Sequence, residues 1–530
     1  MPSNFTDKIK DVEANGQSID SSNCSTPKLA ARNEKELGSP VSEMKLESQL
    51  PPPAAYHVFS RPRKLEMVCI VSMAAIFSPL SSNIYFPALG AIAKQMDTSI
   101  SLVTLTVTIY MIVQGLAPSF WGSFSDVIGR RSVFIGTFIV YILANILLGV
   151  STNYGELMAF RALQAAGSSA TISIGAGVIG DITTSAERGS LVGIFGGVRM
   201  LGQGVGPVIG GILSQFLGYH AIFWFLVIAS GISLVFILIL LPKTHRTIAG
   251  NGSARLHGIY KPWIYYIIPQ KDVQVDTHPS SPQKVTWKVL LAPLTFLVEK
   301  DVFITLFFGA IVYTVWSMVT SSTSDLFESV YGLTTLEVGL TFLGNGFGCM
   351  SGSYTIGYIM DYNHKRTERD YCRKHNLPLE TRITSKTHPD FPIEYARMRN
   401  TWWIIALFVF CTAAYGWSLH TNLAVPIILQ YIIAYCATAI FTINSALIID
   451  MYPGASASAT AVNNLIRCEI GAAGVAAIQP IINSISAEWA FVLLAGITVA
   501  MVPLIIIEMK WGMGWRLERF ERLKRKQQAC

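Results

Sequence analysis

Leu102–Arg131 reads LVTLTVTIYMIVQGLAPSFWGSFSDVIGRR. From Leu102 to Ser125 it carries no charged side chain, and then Asp126, Gly129, Arg130 and Arg131 follow at once. An uncharged run of about 20 residues is the length that crosses the hydrocarbon core of a bilayer as a helix. A Gly and two Arg directly after it mark a tight turn on the side where positive charge collects. This stretch therefore reads as a transmembrane helix and the loop that ends it.

The same grammar recurs along the chain. Spans are expected near 67–91, 102–124, 132–150, 156–180, 190–215, 221–241, 302–324, 335–360, 401–419, 424–449, 460–485 and 488–508. The fold class is an all-α membrane protein with 12 transmembrane helices. Composition agrees: 51% of the 530 residues are hydrophobic and only 14% charged, against about 25% in a soluble domain. Mean hydropathy is +0.44. The net charge of +7 sits in loops and tails beside apolar spans, so it reports topology and argues against nucleic acid as a partner. The eight cysteines contain no C-x-x-C pair, which argues against a zinc site or a disulfide framework. Membrane lipid is the expected surrounding, with no cofactor and no metal. The protein is read as no enzyme, and a monomer is the expected working unit.

Polar stretches divide the chain. Residues 1–65 are rich in Ser, Asn, Glu and Pro and read as a disordered tail rather than a cleavable signal. Residues 66–241 form a first six-helix half, 242–301 a central loop and 302–508 a second half interrupted by a charged loop at 361–400. Residues 509–530 form a basic tail, expected to be solvated or to face lipid headgroups. Lys and Arg cluster on the side of the termini and both long loops. That side is expected to be cytoplasmic, which makes the Asn251-Gly-Ser253 sequon irrelevant.

The two halves repeat each other. Gly122-x-x-x-Asp126 ends span two and Gly357-x-x-x-Asp361 ends span eight. Asp181 ends span four and Asp450 ends span ten, and the next helix of each half carries an Arg, Arg199 or Arg467. Transporters built from repeats place their site near the midplane between halves. Gly122, Asp126, Gly129, Arg130, Arg131 and Asp361 mark these matching loops, a pattern that resembles the loop signature of the major facilitator superfamily, and the resemblance implies a gating role for them at the cytoplasmic side. Span five adds Gly193-x8-Gly202-x3-Gly206-Pro207-x2-Gly210-Gly211. Small residues four apart let helix backbones approach closely, and Pro207 bends the helix.

Charge at depth suggests what is carried. Arg161, Arg199 and Arg467 are deep, and Glu469 is the one carboxylate expected well inside. Arg199, Gln203, Gly206 and Gly210 fall on one helical stripe, and Arg467 follows Asn463 by one turn. A planar guanidinium matches a carboxylate, so two such forks facing one cavity favour a multiply charged anion. Neutral groups expected to complete the cavity are Tyr85 and Asn83, Tyr313 with Ser317 and Thr320, Asn345, and Gln430. Each of these alone is more often an interhelical hydrogen bond than a ligand contact.

The loop Gly122–Arg131, the span-five glycine pattern and Arg161-Ala-Leu-Gln164-Ala165-Ala166-Gly167 resemble the signatures of the major facilitator superfamily, in its twelve-span drug:proton antiporter branch. Ala165 departs from the Gly usual there. LTVTIYMIVQGLAPSFWG, ERGSLVGIFGGVRMLGQGVGPVIGG and IIDMYPGASASATAVNNLIRC resemble fungal quinidine-resistance-type transporters, and among them the citrate exporters of filamentous fungi. The resemblance implies a major facilitator fold and export of citrate or a related di- or tricarboxylate across the plasma membrane. It implies substrate contacts at Arg199 and Gln203, a second at Arg467, and proton coupling at Arg161. A multidrug:proton antiporter and an exporter of a carboxylated secondary metabolite are the alternatives.

Overall fold

In the computed structural model, residues 59–183, 185–244, 262–263, 297–378, 388, 390–399, 401–451 and 456–528 are described. The tail 1–58, most of the central loop with its sequon, and the side chain of Asp126 lie outside the described residues. Every regular element among those described is helical. The order is α1 (Arg61–Asn83), a 3-10 turn (Phe86–Ala88), α2 (Leu89–Gln95), α3 (Ile100–Ile128), α4 (Arg130–Gly149), α5 (Tyr154–Ile182), α6 (Ser185–Leu217) and α7 (His220–Leu240). It continues with α8 (Lys300–Tyr331), α9 (Thr335–Lys374), α10 (Ile393–Met398), α11 (Thr401–Ser418), α12 (Ala424–Met451) and α13 (Ser456–Gln528).

Ten stretches of the described chain are long and apolar enough to cross a membrane. Two details connect that number to twelve. Helix α9 falls short on composition because its membrane-length part is rich in Gly, Ser, Thr and Tyr and carries Asn345. Helix α13 is two helices joined at Ser486, whose backbone is non-helical at φ 68°. The protein is an all-α, multi-pass membrane protein. The first expected span is itself broken: α1 stops at Asn83, and the chain turns through Phe86-Pro87-Ala88 before α2.

Local chemistry sets the ends. Ser99 accepts a hydrogen bond from Leu102 N at 3.3 Å, and Asn153 accepts one from Glu156 N at 2.9 Å. Thr334 and Glu337 cap each other's backbone at the start of α9. These side chains satisfy amides that a helix start leaves open. Gly129, at φ 99°, makes the turn from α3 to α4, a backbone region that Cβ-bearing residues rarely enter.

Helices α1 to α7 pack mainly among themselves, as do α8 to α13, and the broadest contacts across are α6 on α9 and α3 on α13. The glycines of α6 divide between two neighbours. Gly202, Gly206 and Gly210 lie against α1 and the residue after it: an added Cβ would sit 2.8 Å from Ile76 O, 3.2 Å from Ile84 N, and in collision with Ile84 O. Gly204 meets Gly346, Gly211 faces Thr335 O at 2.8 Å, and Gly339 faces Pro207 O at 2.6 Å, all across to α9. Gly122 behaves differently from expectation. Nothing lies within 4 Å of its would-be Cβ, so close helix approach does not explain it in this conformation.

The face that carries the start of α1 and the end of α13, the termini face, is tied together by arginines. Arg131 donates to the carbonyls of Ile237 at 3.3 Å, Leu238 at 2.8 Å and Leu241, and Arg63 to Leu240 O at 2.9 Å. Together they cap the carbonyl end of α7. Arg130 bonds Asp181 at 3.1 Å and Ser125 at 2.5 Å, lying across Gly177 of α5. In the second half Arg397 of α10 bonds Asp450 at 2.8 Å and reaches Asp361 at 4.0 Å. Arg397 stands just before α11 as Arg130 stands at the start of α4.

The basic tail departs from expectation. Helix α13 runs on to Gln528, and Arg516 and Arg519 are only 6% and 5% exposed. Arg516 pairs with Glu394 at 2.7 Å, Arg519 with Asp301 at 2.6 Å and Arg522 with Glu299 at 3.2 Å. The acids come from loop ends that showed no periodicity linking them to the tail.

The α6 seam yields the first prediction. Gly210→Ala drives a methyl group into Ile84 O and destabilises the protein by about 1–3 kcal/mol. Gly193→Ala, with nothing within 4 Å, leaves the melting temperature of the detergent-purified protein equal or higher. Equal melting temperatures for the two variants would disprove the tight seam.

Candidate functional site

A cavity of about 80 Å³ lies between the two sets of helices. From the first set it is lined by Ser78, Pro79, Ser82 and Asn83 of α1, Phe86, Met111 and Gln114 of α3, Ile172 of α5, and Arg199, Met200 and Gln203 of α6. From the second set come Tyr313, Trp316, Ser317 and Thr320 of α8, and Arg467 and Val475 of α13. The expected residues Arg199, Gln203, Arg467 and Tyr313 are thus brought together, one Arg from each set.

The two arginines are held differently. Arg467 donates to Asn464 Oδ1 at 2.7 Å and lies over the rings of Tyr313 at 4.4 Å and Phe441 at 4.7 Å. Its Nε is buried without a partner. The residue that holds it is Asn464, not the expected Asn463, which instead donates to Ser445 at 3.1 Å. Asn464 also donates to Gln114 O of α3 at 3.1 Å, so the clamp on Arg467 bridges the two sets. No hydrogen bond or ion pair of Arg199 exists among the described residues, and the charge that acts on it is the like charge of Arg467. The Arg199 side chain is half-buried and faces the cavity. Among the lining residues there is no Asp or Glu. Two cations and no acid give the lining a positive charge.

The remaining expectations find other places. Tyr85 is fully buried outside the cavity, with the Arg161 guanidinium 4.2 Å from its ring centre. Arg161 also lies 4.5 Å over Tyr110 and donates to Gln164 Oε1 at 2.6 Å and Ser81 O at 3.3 Å. Gln164 in turn donates to Asn145 at 2.7 Å. Arg161 is therefore the centre of a ring-lined pocket inside the first set, and its Nε and Nη2 have no hydrogen-bond partner. Asn345 stands behind the cavity wall and accepts from Trp316 Nε1 at 2.9 Å. Gln430 donates to Thr323 and Tyr415, both at 2.7 Å, away from the cavity. Gly206 and Gly210 are covered by Ile84 and its neighbours, so the bare-backbone part of the α6 stripe faces α1 and not the cavity.

The carboxylates also differ from expectation. Glu469 turns toward Gly115 of α3 and makes no ion pair with Arg467. Asp301, Glu394 and Glu508 are more deeply buried, at 1%, 2% and 0% exposure. Asp325 accepts from Gln479 Nε2 at 2.7 Å. Sequence reading missed Ser78, Ser82, Gln114, Met200 and Trp316 as lining residues. Only Gln114, a lone amide in an uncharged span, left a visible signal.

The cavity is closed on the side away from the termini. Phe86 stacks on Phe342 at 6.1 Å, and Leu336 N donates to Gln215 Oε1 at 2.8 Å. Toward the termini, Gly193, Gly196 and Gly197 of α6 and Gly357 of α9 have nothing within 4 Å of an added Cβ. Small-molecule pockets start at about 300 Å³, so the cavity must widen to hold an organic ligand.

Comparison with known proteins adds to this geometry. The profile described as Major Facilitator Superfamily matches residues 71–475. Citrate exporter 1 of Aspergillus niger is 67% identical over 502 residues, covering 94% of this chain and 95% of its own. The MFS antiporter QDR2 of Candida albicans is 31% identical over 445 residues, covering 83% and 87%. The crystal structure of a human organic anion transporter, TETRAN, aligns with TM-score 0.54 at 14% identity, covering 83% of this chain and 99% of that chain. That last likeness concerns the fold alone.

The contrast between two arginines is testable without substrate. Arg161→Ala strands Gln164 and the Ser81 carbonyl and lowers unfolding stability by about 1–3 kcal/mol. Arg199→Ala removes a cation that the protein does not pair, and its stability matches or exceeds wild type. A larger loss for Arg199→Ala would show that the described state hides a partner.

Proposed function

We propose that this chain, which belongs to the Major Facilitator Superfamily, is a plasma-membrane secondary transporter that exports citrate or a closely related di- or tricarboxylate. The observation that carries the reading is the unpaired Arg199 guanidinium beside Arg467 in a cavity without a lining acid. Each guanidinium presents two parallel donors to one carboxylate. An acid with two or three carboxylates engages both and neutralises the repulsion between them. Gln203, on the same face of α6 as Arg199, supplies an amide for a further oxygen. The strong similarity to a citrate exporter supports the choice of substrate.

The termini face is assigned to the cytoplasm, because Lys and Arg concentrate there. The closed Phe86–Phe342 end is then extracellular, and substrate enters from inside once the cavity widens. Export follows when the α6–α9 contact opens at Gln215–Leu336 and the α3–α13 seam rocks. An anion leaving an inside-negative cell gains about 2.3 kcal/mol per charge per 100 mV, so export runs without ATP. Proton linkage is part of the proposal, with Arg161 as the residue assigned to it. The carrier is proposed to work as a monomer.

The test is expression in a fungal host that lacks its own exporter, with citrate measured outside the cells. Wild type releases citrate. Arg199→Ala and Arg199→Lys lower release about 10- to 100-fold, the loss of one charge-assisted contact, at unchanged surface abundance. Unchanged release by Arg199→Ala would remove the α6 contact from the mechanism. Resistance to cationic drugs with no citrate outside would replace the anion reading with a multidrug antiporter.

A further inference from the structure

Glu508 lies in α13 near the termini face, fully buried, and neither carboxylate oxygen makes an ion pair among the described residues. Its surroundings are charged. Asp301 at the start of α8, Glu394 of α10, and Arg519 of α13 itself all act on it. Asp301 is taken by Arg519, and Glu394 by Arg516. A Cβ added at Gly512, one turn on, would sit 2.8 Å from Glu508 Oε1 and 3.3 Å from Glu394 Cγ. The two carboxylates therefore share one small space. The Thr305 hydroxyl of α8 lies beside Glu508, and α11, also packed on α13, carries no charged side chain. Among the described residues, three carboxylates thus face two guanidiniums, and each guanidinium already holds one acid.

We propose that Glu508 is a proton-binding site that locks the C-terminal end of α13 onto α8 and α10. With Glu508 neutral, the cluster holds two carboxylates and two guanidiniums and its charges cancel. With Glu508 ionised, an unpaired anion is buried against Asp301 and Glu394, a costly arrangement. Loss of the proton therefore favours release of the helix end, which lets water reach the carboxylate. Docking and proton binding are linked, so docking weakens as pH rises. For one proton the docked-to-released ratio changes about tenfold per pH unit within the titration range. The same α10 carries Arg397, which binds Asp450 and reaches Asp361. Release of α13 thus frees the strut that ties α9 to α12, and the proton state of the termini face reaches the helices that must move.

The test is hydrogen exchange of the backbone across 512–528 in the full-length protein in lipid nanodiscs, as protection factors from mildly acidic to alkaline pH. Wild type loses protection with rising pH by up to about tenfold per unit. Glu508→Gln keeps the shape, removes the titration, and stays protected throughout. Glu508→Asp keeps a pH dependence. His364, which packs on Phe391 next to α10 at 5.3 Å, is the control, and His364→Asn leaves the wild-type profile in place. A Glu508→Gln profile as steep as wild type, a flat wild-type profile, or a profile flattened by His364→Asn would each overturn the proposal.

Discussion

Helix α6 is packed by its backbone on two sides at once. Gly202, Gly206 and Gly210 give one flank to α1, and Gly204, Pro207 and Gly211 give the other to α9. Because side chains are absent from both flanks, Arg199 and Gln203 are left as the large polar groups of this segment, directed into the cavity. The seam therefore fixes where the cation goes. It also limits how the protein moves: backbones in direct contact slide or separate as units, since no flexible side chain is available to absorb a displacement.

Around that seam the placement of arginines follows one rule, that a guanidinium removed from water needs something to hold. On the termini face, Arg131 and Arg63 hold helix-end carbonyls, and Arg130 and Arg397 hold Asp181 and Asp450. At depth, Arg161 and Arg467 rest between aromatic rings, where the negative ring faces supply part of what water would. Arg199 differs from them: half-buried at the cavity, it makes no hydrogen bond or ion pair among the described residues.

Much of the architecture was legible in the sequence because lipid imposes a crude code. Uncharged runs of bilayer length gave the helices, and the asymmetry of Lys and Arg suggested the faces. The paired Asp181 and Asp450 suggested the repeat. Residues that act over a few ångströms in the same helix, such as Arg199 and Gln203, were also legible, since 3.6 residues per turn places them on one face. What failed was anything that joins distant segments. The Arg397–Asp450 pair, and the Arg516–Glu394 and Arg519–Asp301 pairs, connect residues separated by whole transmembrane helices, and spacing carries no information about such contacts. Which of two adjacent asparagines faces Arg467 depends on a rotation of about 100°, finer than a hydropathy pattern resolves. Glycines were ambiguous for the same reason: Gly206 and Gly122 look alike in sequence, yet one is crowded and the other faces open space.

The paired cations of the cavity carry an electrical consequence on the proposed reading. Unloaded, the site has the charge of two guanidiniums, and loaded with a trianion it is left with one negative charge in excess. An inside-negative potential pulls the first toward the cytoplasm and pushes the second away from it. The same voltage thus drives both half-cycles, returning the empty carrier as it expels the full one. Such a carrier would behave as a rectifier: the field that favours departure of the cargo also opposes the loaded site's journey back.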